Sequence, residues 1–182
     1  MRHLTYILLC SIILAACSSE DHSDQIKAID QEIEEVQKAH AQFLELDSAE
    51  VVDMAGKYNQ HVQAFKRFYK PDSINRKISS AMSTFRIMKK VGAYKALRKE
   101  YSIEVSFCVN QLTDLKTDIE EGIIPEDSVQ HYVQLEIDAS KLLRKNIQSY
   151  LKLVEDAKIC YDTLNPFIEN FVDSIQRVYE QP

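Results

Sequence analysis

The residues able to do chemistry are few and widely spaced: five histidines and four cysteines in 182 residues. A di-iron helical bundle needs Glu-x-x-His on each of two helices, a spacing that puts both ligands on one face. The residue three before His40 is Gln37, before His61 it is Tyr58, and before His131 it is Ser128, so none completes that pair. No HExxH, CxxC or CxxCH occurs, which argues against zinc-protease, zinc-ribbon, thioredoxin-type and c-haem chemistry. Glycines stand only at 56, 92 and 122, too few and too far apart for a phosphate-cradling loop. With no constellation of acid, base and nucleophile, the sequence points away from an enzyme and away from any metal or cofactor. His40 falls on an apolar helical stripe and reads as a satisfied or half-exposed core histidine, whereas His22 and His61 read as surface residues. Cys108 and Cys160 read as buried thiols.

Charge carries more information. Residues 18–65 hold three basic and eleven acidic side chains, residues 66–99 eleven basic and one acidic, and residues 100–182 seven basic and sixteen acidic. The net charge of −6 therefore conceals a strongly basic middle between two acidic flanks. Lys66, Arg67, Lys70, Arg76, Lys77, Lys89 and Lys90 are the candidate binding residues, and Phe65, Phe68 and Tyr69 are interleaved with them in AFKRFYKPDSINRK, residues 64–77. Two readings compete. In the first, acids of the last segment (Glu155, Asp156, Asp162, Glu169, Asp173) pair with these bases and fix helix order, as flanking charges do in coiled coils. In the second, the bases stay free and reach an anionic partner. The aromatics read first as core residues at helical spacing, and second as stacking groups.

Helices must position these groups, because glycine and proline are scarce and Ile, Leu, Gln, Glu and Lys abundant. Pro71 and the Gly122/Pro125 pair divide the chain into three long segments, about 24–69, 73–121 and 126–180. Each carries apolar residues at alternating three and four spacings, cleanest in the last: Leu143, Ile147, Tyr150, Val154, Ala157, Tyr161, Leu164 and Ile168. The expected fold is all-α, an elongated antiparallel three-helix, coiled-coil-like bundle running up, down and up; the alternative is a compact bundle of five or six shorter helices. Each segment has a weak point: a break or restart near Asp47, where Asp47 and Glu50 form a capping box, a loosening at Gly92, and a kink or break at Pro166. In the elongated form Cys108 lies level with Ala139, about 30 Å along the rod from Cys160, too far for a disulfide.

The N-terminal residues are of a different kind. Met1, Arg2 and His3 precede an apolar run, Leu4 to Leu14, too short to span a bilayer securely. The following Leu14-Ala15-Ala16-Cys17 resembles the lipobox of bacterial lipoproteins. That resemblance covers residues 1–17 and implies removal of residues 1–16, diacylglyceryl attachment at the Cys17 sulfur and acylation of its new amine, with chains such as palmitate. More than one chain is what stable membrane anchoring requires. Ser18-Ser19-Glu20-Asp21 resembles the acidic export signal of surface lipoproteins in Bacteroides-like bacteria, although a solvated tether would read the same. The resemblance implies a lipid-anchored protein of the cell envelope, in the outer membrane if the host has one, with residues 17–23 as tether and 24–182 as one helical domain.

Held by its N-terminus, such a rod is an acidic stalk with a basic distal head. In layout it resembles small all-helical lipoproteins described as cell-wall-binding. The expected function is a non-enzymatic envelope lipoprotein, a helical spacer or binding module. Its partners would be the membrane, through the anchor, and an anionic envelope polymer or acidic protein; nucleic acid is the least favoured. The alternative is a partner-specific inhibitor or immunity-type lipoprotein.

Overall fold

The computed structural model describes residues 21–69 and 75–180. Among them there is no strand. The first segment forms α1 (Ser23–Leu44) and α2 (Ser48–Phe68), the second α3 (Arg76–Phe85), α4 (Ile87–Val91) and α5 (Tyr94–Glu120), and the third a 3-10 turn (Glu126–Ser128) leading into the 52-residue α6 (Val129–Glu180). At 1.5 Å per residue α6 runs about 78 Å.

Polar contacts give the topology. Those joining α1 and α2 to α6 link residues separated by between 104 and 112 positions, from Gln25 with Gln130 to Lys57 with Glu169. A near-constant offset over forty residues means that these rods run parallel. Contacts to the second segment run the other way: Lys116 meets Asp30, Ser102 meets His40 and Tyr94 meets Leu46. The bundle is therefore up-down-up and elongated, and it also carries the interruptions of the alternative, with six α-helices among the described residues laid along three rods.

Three of the helix ends have a local cause. Asp47 caps α2, its Oδ1 accepting from the backbone N–H of Ala49 (2.8 Å) and Glu50 (3.2 Å). Asn75 does the same for α3, accepting from Lys77 (3.0 Å) and Ile78 (3.4 Å). α5 closes on Gly122 at φ 67°, with the Gly122 N–H on the Ile119 carbonyl and the Ile123 N–H on that of Asp118. That paired bond pattern needs a left-handed residue, a position glycine fills at little steric cost. The breaks near Asp47 and Gly92 fall where the sequence placed them, and a further one at Arg86 was not foreseen. At Pro166 there is no break: α6 continues through it. Its ring lies on the exposed face, as does Asp162, whose carbonyl loses its helical donor, so water can satisfy that carbonyl.

One core extends from Val36 to Val172, and a smaller one around Ile29, Leu112, Ile119 and Val133 fills the end near the 122–128 hairpin. Where the interruptions meet, Phe43 packs against Tyr94, Tyr101 and Tyr150 at ring distances of 5.2–5.7 Å. The Tyr150 hydroxyl donates to the Val91 carbonyl (2.6 Å) and that of Tyr94 to the Leu46 carbonyl (3.3 Å). Carbonyls orphaned at interrupted helix ends thus find buried or half-buried partners.

Candidate functional site

Of the candidate binding residues, Lys66 and Arg67 close α2, Arg76 and Lys77 open α3, and Lys89 and Lys90 sit at the end of α4. All six are exposed. The first four gather at the end of the rod away from the 122–128 hairpin, whereas Lys89 and Lys90 lie 12 or 13 residues beyond Lys77, about 18 Å down the bundle. Lys70 and Cys17 lie outside the described residues, as does Cys10.

None of these six bases forms an ion pair among the described residues. The reading in which acids of the last rod pair with bases of the second is therefore corrected. Glu155 and Asp156 bind Lys152 on their own helix, and Glu169 binds Lys57 of α2 (3.1 Å). Rods one and three are joined by Lys57 with Glu169, Lys158 with Glu50, and Arg144 with Glu32 and Glu35. The physical reason is local: Lys57 of α2, parallel to α6, takes Glu169, and Lys152 of α6 itself takes Glu155 and Asp156, so these three acids are engaged away from α3 and α4. Helix polarity sharpens the contrast. Lys66 and Arg67 suit the negative end of α2, but Arg76 and Lys77 stand at the positive end of α3, whose first turn holds no acid.

The interleaved aromatics are mainly packing groups. Phe65 stacks on Phe171 (5.7 Å, 13° between planes), Tyr69 meets the same ring edge-on, and Phe68 meets Tyr179 edge-on. The Arg67 guanidinium lies 5.1 Å from the Phe68 ring centroid, the one cation over an aromatic face among the described residues.

Two grooves flank the end of α2. One, about 490 Å³, is walled by Val62, Phe65, Ile78 and Met82 and edged by Lys66. The other, about 540 Å³, lies between α2 and α6 and includes Asn59, Gln60, Gln63 and Gln176. The carboxamides were not singled out in the sequence, where uncharged polar residues on a helix resemble ordinary solvated surface; the 59/63 and 60/63 spacings were the available signal.

Elsewhere polar side chains serve the core. His61, expected at the surface, is 4% exposed, and its Nε2 lies 2.9 Å from the buried Asn165 Oδ1. It moved inward because α6 supplies a polar partner that sequence spacing does not reveal. His40 is half-buried against the Ser102 hydroxyl (3.1 Å), and desolvation lowers its pKa. Glu32 is buried and accepts from Ser140 Oγ (3.1 Å) and Arg144 (3.3 Å). Cys108 and Cys160 are free, half-buried thiols whose pKa values burial raises. Cys108 lies by Ser140 and Cys160 by the Thr84 carbonyl (3.8 Å), so the two stand at different levels of the rod. Among the described residues no cluster of three or more His, Cys, Asp or Glu could hold a metal ion, and no helix is long and apolar enough to cross a membrane.

The chain matches no protein-family model, no curated protein and no solved structure.

Proposed function

We propose that the protein is a non-enzymatic lipoprotein of the cell envelope, anchored through Cys17, whose helical rod carries a basic binding surface away from the membrane to an anionic envelope polymer. One observation carries this reading: Lys66, Arg67, Arg76 and Lys77 are gathered at one end, exposed, and without an ion pair among the described residues. Arg76 and Lys77 also oppose the dipole of the helix they open, a local cost that an anion at that turn would relieve. The anchor part rests on the lipobox-like Leu14-Ala15-Ala16-Cys17.

The test separates anchor from head. Cys17→Ser should move the protein from the membrane fraction to the soluble one. Lys66→Glu, Arg67→Glu, Lys70→Glu and Lys77→Glu combined, with helicity by circular dichroism unchanged, should abolish salt-sensitive co-sedimentation with isolated envelope polymer. Equal sedimentation of the charge-reversed protein would sink the head reading and leave the rod as a spacer.

A further inference from the structure

We infer that the groove between α2 and α6 at the basic end is a saccharide site that takes an acidic glycan. The inference rests on the reading of that end as a polymer-binding head, and names the chemistry of the polymer.

The groove is built from two neighbouring rows on α2. Asn59, Gln63 and Arg67 follow one another at four-residue spacing, and so do Gln60, Ala64 and Phe68. Gln176 of α6 faces them across the groove. Ala64 is buried and small, so the floor lies close to the α2 backbone. Phe68 is half-buried, one edge held by Tyr179 at 5.6 Å, with the Arg67 guanidinium over its face. None of the four carboxamides makes a hydrogen bond to another described residue, in a protein whose other long polar side chains often do. Among the described residues no carboxylate lines the groove.

Ligand chemistry follows from that donor set. Each carboxamide offers one carbonyl acceptor and two N–H donors. Four of them around one cleft match a ligand that both donates and accepts along its length, as sugar hydroxyls do. A phosphate or sulfate chain only accepts, and would be met by cations and backbone N–H groups instead. A hydrocarbon would bury the amides unpaired, at a cost. Phe68 supports the Arg67 guanidinium, which offers a planar fork for a carboxylate at the end of the amide row. At about 540 Å³ the groove is within the usual range of small-ligand sites.

The test uses the full ¹⁵N-labelled protein with three probes: tetragalacturonate, neutral cellotetraose and inorganic polyphosphate. Tetragalacturonate should shift the side-chain NH₂ signals of Asn59, Gln60, Gln63 and Gln176. Gln60→Ala, Gln63→Ala and Gln176→Ala together should weaken its binding roughly tenfold or more, with thermal unfolding unchanged. Arg67→Gln should remove the preference over cellotetraose. The inference is overturned if those four signals stay still or if the triple variant binds tetragalacturonate as the wild type does. Polyphosphate tells the two readings apart. If it binds in a salt-sensitive way while tetragalacturonate does not, the head stands and the saccharide site falls; if cellotetraose binds through the four amides as well as tetragalacturonate does, the acidic-glycan inference falls.

Discussion

Glu32 shows how a charge is kept inside this bundle. Its two oxygens accept from Ser140 and Arg144, and Arg144 also reaches Glu35 (2.9 Å), so donors on α6 meet acceptors on α1. Removing the carboxylate leaves a buried hydroxyl and part of a guanidinium without acceptors. Glu32→Ala should therefore destabilise the fold by about 1–3 kcal/mol in urea denaturation. Lys152→Ala, which removes two exposed pairs within one helix, should stay within about 0.5 kcal/mol. The half-buried thiols give a pH test. Burial raises both pKa values above the ordinary thiol value of 9.0, so the fold favours the neutral form. Above that pH the unfolded chain releases protons that the folded chain retains, and stability falls as pH rises. Alkylation at Cys108 and Cys160, followed by mass spectrometry at each site, should be slower in the folded protein than in urea at pH 8. Its pH midpoint should lie above that of the unfolded chain.

Helix ends were legible where a side chain announces them. Asp47 sits between two apolar stripes and caps α2, and Gly122 takes the positive φ that ends α5. Asp47→Ala should cost about 1 kcal/mol, read from the urea midpoint. Whether Pro166 ends the helix was not legible, because proline's effect depends on which face it occupies, and that is set by packing against the other rods. On the exposed face it weakens α6 without ending it. Pro166→Ala restores an N–H donor in mid-helix and should stabilise the protein by about 2 kcal/mol in the same assay, the helix gain of about 3 less the added freedom of the unfolded chain. The basic residues were legible as a block, since their types alone define it. That six of them form no ion pair among the described residues was not, because it depends on where the acids of α6 find their partners. The inward turn of His61 and the carboxamide groove were hidden for the same reason: each joins residues more than a hundred positions apart.

At the scale of the whole molecule, the three rods make an object much longer than wide. Small-angle X-ray scattering should give a maximum dimension of about 80 Å or slightly more, set by α6, where a sphere of this mass would be far shorter. The two interrupted rods are broken at nearly the same height, Leu46 beside Tyr94 and Val91 beside Tyr150. Only α6 crosses that level without a gap. For a side load the bundle is then a beam with one continuous member at mid-length. Bending strain would concentrate around Tyr150 rather than spread evenly, and the hydroxyl contacts of Tyr94 and Tyr150 would set how stiffly the two halves are joined.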